Sequence, residues 1–178
     1  MVGALMSLSA SVQAGELPPE WAARINRGDA LLLMRHALAP GIGDPPNFAV
    51  DDCATQRNLS PAGQAQAKKI GEDLRAAGIV QAQVLSSPWC RCLDTAAALK
   101  LGPVEPIREL GSFFAGRGEA SLQTKVVLER LAQRHPGARM VVTHQVNLTA
   151  LTGVVPVSGE LLIVASKDPT QVLFRVKP

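Results

Sequence analysis

The apolar positions of this chain alternate between short continuous runs and stretches with three-to-four-residue spacing. Residues 30–35, Ala-Leu-Leu-Leu-Met-Arg, are apolar until the last position, as in a strand buried on both faces. A Pro- and Gly-rich stretch over 40–46, continuing to Arg57, suits neither helix nor sheet and predicts a loop long enough to be functional. Ser60 then stands as an N-cap with Pro61 at the first helical position. Gly63, Ala67, Ile70, Leu74 and Ala77 follow three or four apart until Gly78, which predicts a helix.

The alternation repeats. Residues 82–86 predict a second strand, Ser87-Pro88 opens a helix to about Leu99, and 104–108 predict a short third strand. A helix over about 120–134 leads through Pro136-Gly137 into a strand at 139–143, with a further short helix near Asn147. Two apolar segments, 161–166 and 172–176, joined by Lys167-Asp168-Pro169-Thr170, read as a hairpin. Strand-then-helix repetition predicts an α/β fold, a three-layer αβα sandwich. Its central sheet is mostly parallel, with an antiparallel edge near the C-terminus.

Composition narrows the function. The 178 residues fit one domain, taken as 15–178. An apolar fraction of 47% against 19% charged excludes disorder, and the absence of Tyr leaves few side chains to stack on bases. The net charge of +3 comes from scattered Lys and Arg, so no nucleic-acid partner is expected, while a small anionic substrate suits the balance. Residues 1–14 are small and apolar, and Val12-Gln13-Ala14 before Gly15 has the form of a signal-peptidase site; a truncated signal segment and a periplasmic or secreted location are expected. The lack of Lys or Arg near Met1 keeps a cytoplasmic location as the alternative. No other segment reaches the roughly 18 apolar residues of a membrane span, so no stable membrane insertion is expected. Cys53 pairs with Cys90 or Cys92 if the chain is exported; all three as small buried hydrophobes is the other reading.

Parallel sheets bind ligands at the carboxyl ends of their strands. There the expected elements place Arg35-His36, Ser86-Ser87 with Arg91 one helical turn on, Glu109 and His144. These residue types suit a phosphoryl group. Arg35 and Arg91 would hold its oxygens through charge-assisted hydrogen bonds, and the helix after Ser87 would add its N-terminal dipole. His36 as a neutral imidazole would attack phosphorus, its other ring nitrogen held by a backbone carbonyl of the following loop. His144 would donate to the phosphoryl oxygens as a cation, and Glu109, or failing it Glu119, would protonate the leaving group. Phe113 and Phe114 are expected in the core or the pocket wall.

The ordered set of motifs resembles the histidine phosphatase superfamily, also called phosphoglycerate-mutase-like. Leu33-Met34-Arg35-His36-Ala37 is similar to its Arg-His-Gly strand end, and Arg57-Asn58-Leu59-Ser60-Pro61-Ala62-Gly63 with Gln66-Ala67 to its second signature. The segment from Ser86 to Ala96 resembles the one carrying its second phosphate-binding Arg, and Val142-Thr143-His144 its late strand. The resemblance implies phosphorylation of His36, a phosphate pocket of Arg35, Arg91 and His144, and Glu109 as proton donor. Arg57 is then an additional substrate-side Arg or a loop ion-pair partner. Ala37 and Gln145 depart from the family's usual Gly. The implied activity is hydrolysis of a small phosphorylated substrate with no cofactor and no metal. The alternatives are a phosphomutase or phosphohistidine phosphatase of this fold, or a phosphate-binding module without turnover. Oligomeric state and substrate identity stay open.

Overall fold

The computed structural model describes the backbone of residues 11–14 and the whole of residues 16–178. The expected signal segment lies outside the described residues up to residue 10. The strand read first, β2 (Ala30–Arg35), lies in the middle of the sheet, and the alternation of its side chains splits the core. Leu32 and Met34 face one cluster and Leu31 and Leu33 the other, all within 2% of full burial. On the Leu32 face pack α1 (Pro19–Asn26), α2 (Pro61–Ala76) and α3 (Cys90–Leu99), through Ile25, Ile70, Leu74, Ala96 and Leu99. On the Leu31 face pack α4 (Ala120–Ala132) and α5 (Gln145–Thr152), through Val127, Leu131, Leu148 and Leu151. The result is the expected three-layer αβα sandwich.

Besides β2, the described sheet contains β1 (Ser11–Ala14), β3 (Gln83–Ser86), β4 (Val104–Pro106), β5 (Arg139–Thr143), β6 (Leu161–Ala165) and β7 (Asp168–Lys177). Its order is β1-β7-β6-β2-β5-β3-β4. β2, β5, β3 and β4 run parallel, while β6 is antiparallel to both β2 and β7, the antiparallel character expected near the C-terminus. β1 pairs parallel with the end of β7, Ser11 opposite Phe174 and Ala14 opposite Lys177.

Three local expectations change. The hairpin turn is Ser166-Lys167, because Asp168, Pro169 and Thr170 already belong to β7, which enters the pairing through a register shift. β4 stops at Pro106. Ile107 N–H donates to the Ser86 carbonyl and the chain then coils into a 3₁₀ turn, Arg108–Leu110, that drives Leu110 into the core. Helix α1 has no counterpart among the expected elements. Only Ala22 and Ile25 of its eight residues are buried, too few to show a periodicity, and Pro19 at its first position is its main signal.

Candidate active site

The parallel neighbours β2, β5 and β3 end side by side, and the ladder runs past their last residues. His36 N–H donates to the Thr143 carbonyl at 2.9 Å, and Ser87 N–H to the Val142 carbonyl at 2.9 Å. These bonds bring His36, His144 and Ser87 together at one sheet end. There a cleft of about 160 Å³ opens, lined on its polar side by Arg35, His36, Asp44, Arg57, Arg91 and His144. Gln145 and Ser112 also border it, and Ile42 and Phe114 stand at its wall, both solvent-exposed.

His36 is buried, and its Nδ1 lies 2.8 Å from the Ala37 carbonyl. A carbonyl only accepts, so Nδ1 carries the proton and Nε2 keeps its lone pair. Burial pushes the His36 pKa down to about 3; the bond to the Ala37 carbonyl opposes this, and the charges of Arg91, Arg35 and Arg57 reinforce it. The imidazole is therefore neutral at physiological pH. Ala37 itself is buried among Ala39, Leu59 and Ala67, donates its N–H to Thr95 Oγ1 at 3.1 Å, and lies outside the left-handed region, so Ala in place of Gly brings no backbone strain.

His144, expected as a cation, is neutral in this site. Burial holds its pKa well below the ordinary histidine value, with the Arg91 charge next in importance. Arg91 Nη2 stands 3.3 Å from His144 Nδ1, and a guanidinium only donates, so Nδ1 accepts and the proton sits on Nε2. Nε2–H reaches Ser87 Oγ at 2.8 Å, with Cys92 Sγ 3.6 Å away. Burial pushes the Cys92 thiol up to about 12, so it stays protonated. The two imidazoles meet edge to face at 5.5 Å between ring centres.

Arg35 donates Nη1 to the Pro156 carbonyl at 2.9 Å, and its buried Nε–H has no partner among the described residues. Arg57 is used by the loop: Nε donates to the Gly43 carbonyl at 2.7 Å and Nη1 to that of Ala39. Arg91 pairs with Asp44, a residue that sequence reasoning missed. Nη1 meets Oδ1 at 2.6 Å and Nη2 meets Oδ2 at 3.2 Å, with both side chains almost fully buried. Burial raises the Asp44 pKa, but hydrogen bonds from Arg91, the Arg57 N–H and Trp89, with the Arg91 charge, outweigh it and hold the carboxyl below its ordinary value. The one sign of Asp44 in the sequence is a lone carboxylate in the Gly-rich stretch after Arg35-His36.

Glu109 and Glu119 are not brought into the cleft. Glu109 is half-buried in the 3₁₀ turn that replaces the end of the third strand, and Glu119 is exposed at the N-cap of α4. Helix α3 starts at Cys90, later than Ser87-Pro88, and its first N–H is taken by Gln56 Oε1 at 2.9 Å. A disulfide joins Cys53 to Cys90, the first of the two partners open in the sequence, and leaves Cys92 as a buried free thiol.

The family model of the histidine phosphatase superfamily, branch 1, matches residues 31–121, just over half of the 178-residue chain. The chain belongs to the histidine phosphatase superfamily. With that membership it is a hydrolase of the phosphatase class. Solved structures agree in fold. A candidate phosphohistidine phosphatase SixA from Agrobacterium tumefaciens is 20% identical at a TM-score of 0.60, over 85% of this chain and 99% of that one. The protein histidine phosphatase SixA, solved with tungstate, is 17% identical at a TM-score of 0.56, over 80% and 91% of the two chains. A mycobacterial glucosyl-3-phosphoglycerate phosphatase, solved with VO3, is 16% identical at a TM-score of 0.54, over 77% and 92%. No curated protein matches this histidine phosphatase in sequence. Among its described residues no helix is long and apolar enough to cross a membrane.

Proposed function

We propose that this histidine phosphatase hydrolyses a phosphate monoester through a phosphohistidine formed on His36. One observation carries the reading: the neutral, buried His36 keeps the Nε2 lone pair in a cleft that Arg35 and Arg91 flank, each with a buried Nε–H lacking a partner among the described residues. Oxygens of a phosphoryl group would complete those donors and the arginines would offset the charge of transfer. Nε2 attacks phosphorus, the N–P bond forms and the ester P–O bond breaks. Water then attacks phosphorus, the N–P bond breaks, and orthophosphate leaves with His36 neutral again.

With Glu109 and Glu119 outside the cleft and Asp44 held as a carboxylate, the leaving group takes its proton from water. This placement supports leaving groups of low basicity, and with it a second reading in which a phosphoryl group is removed from histidine of another protein. A location outside the cytoplasm is part of the proposal; the Cys53–Cys90 disulfide supports it.

The test is to incubate the purified protein with p-nitrophenyl phosphate and trap the phosphoenzyme. Orthophosphate release and a base-stable, acid-labile adduct are expected, and His36→Ala should lower turnover by at least about a thousandfold and abolish the adduct. Normal turnover in His36→Ala would refute the mechanism.

A further inference from the structure

Arg91 is the most committed cation in the cleft. A guanidinium has five N–H donors, two on each Nη and one on Nε. Nη1 serves Asp44 Oδ1 at 2.6 Å and the Arg57 carbonyl at 3.2 Å, and Nη2 serves Asp44 Oδ2 at 3.2 Å and His144 Nδ1 at 3.3 Å. Both Nη groups are thereby used, and Nε–H remains without a partner among the described residues. The guanidinium is fixed in plane and rotation, with a single donor left over.

Asp44 is fastened from several sides. Besides the two bonds to Arg91, Oδ1 accepts from the Arg57 N–H at 3.1 Å and Oδ2 from Trp89 Nε1 at 3.2 Å. The backbone beside it is held too, since Arg57 Nε donates to the Gly43 carbonyl at 2.7 Å. A carboxylate so placed could in principle be a stand-in that an incoming phosphoryl group expels from the Arg91 fork. Expulsion would break four hydrogen bonds to Asp44 and leave a carboxylate to be rehoused from a site where its side chain is 4% exposed. Retention costs none of these, and it leaves the Arg91 Nε–H as the one guanidinium donor still without a partner among the described residues.

On the reading of the cleft as a phosphoryl site, we propose that Asp44 is a positioning residue: it stays on Arg91 through the reaction and sets the guanidinium so that Nε–H, alongside that of Arg35, meets the phosphoryl group. Its carboxylate also offsets part of the charge of Arg57 and Arg91, which eases the crowding of three guanidiniums in one cleft before substrate arrives.

Asp44→Asn separates this role from expulsion, because the two predict opposite signs. The amide keeps the size of the side chain but turns one oxygen into a donor facing the Arg91 and Trp89 donors. If Asp44 positions Arg91, the Kd for inorganic phosphate, measured by calorimetry on the intact chain, rises about tenfold or more, and KM for p-nitrophenyl phosphate rises with it. In an Arg91→Ala background the same change then adds less than about twofold, since its effect runs through Arg91; a merely structural role would leave the two changes additive. Unchanged or tighter phosphate binding in Asp44→Asn overturns the proposal. A circular dichroism spectrum and a thermal unfolding curve report on folding. Should the variant not fold, a crystal structure of the unaltered protein with tungstate decides: the Asp44–Arg91 pair intact with Nε on the oxyanion supports the role, and Asp44 swung out refutes it. Failure of the unaltered protein to bind phosphate or tungstate would instead remove the phosphoryl reading of the cleft.

Discussion

As the proposed nucleophile, His36 faces two demands that burial reconciles. A nucleophile towards phosphorus needs a free lone pair, and a group among arginines must not be a cation; removal from water satisfies both by pushing its pKa down to about 3. The Arg-His dipeptide is visible in the sequence, but the neutral state comes from the cleft. Asp44 shows the opposite limit. Its partners Trp89 and Arg91 lie more than forty positions away, and its place in the Gly-rich stretch says nothing of either. Glu109 is the clearest lesson in side-chain direction. It was expected at a strand end, and a 3₁₀ turn points the neighbouring Leu110 into the core while leaving Glu109 outside the cleft. Glu109→Gln should therefore keep kcat and KM for p-nitrophenyl phosphate within about threefold of the parent. A loss of two orders of magnitude would put a proton donor at that position after all.

At the scale of elements, the loop over residues 40–57 depends on fasteners rather than on regular structure. The disulfide joins Cys53 to the first residue of α3 across a separation of 37, Gln56 caps the same Cys90 N–H, and Phe48 stacks on Trp89 at 5.2 Å. The Asp44–Arg91 pair secures the near end of that loop. By the loop-closure estimate, removing the cross-link costs about 4 kcal/mol. A Cys53→Ser/Cys90→Ser double variant should thus unfold at lower urea concentration than the parent. It should also show a higher KM, because Asp44 and Arg57 are carried by the freed loop. An unchanged midpoint with unchanged KM would show that the hydrogen bonds and stacking hold the loop without the disulfide. Helix α2 was legible for the complementary reason: its cap, its first-turn Pro and its apolar spacing are all local, and Ser60 Oγ does accept from the Gly63 N–H at 3.0 Å.

For the molecule as a whole, the buried imidazoles tie stability to pH. The pKa of His36 in the folded state lies near 3, below its ordinary value of 6.5, and His144 is shifted in the same direction. Between those values the unfolded chain binds protons that the folded one does not, so stability falls as pH falls from about 6.5 towards 3. For His36 alone the slope approaches about 1.4 kcal/mol per pH unit. Asp44, with its pKa lowered, adds to the loss at the acid end. Urea unfolding at pH 7.5, 6 and 4.5 should show a falling free energy, and His36→Gln should flatten the curve. A flat curve in the parent would mean that the imidazoles are not buried as neutral groups.

By itself the chain determined the order of the main strands and helices from residue 30 onward, the two-faced core and the ordered motifs around Arg35-His36, Arg91 and His144. Those signals are local: apolar period, caps and short runs of residues bound by backbone geometry. Only the tertiary structure decided which polar groups share the cleft and in what protonation state. Those depend on β2, β5 and β3 ending side by side, on the fold bringing Asp44 to Arg91, and on burial, none of which is a property of residues near one another in sequence.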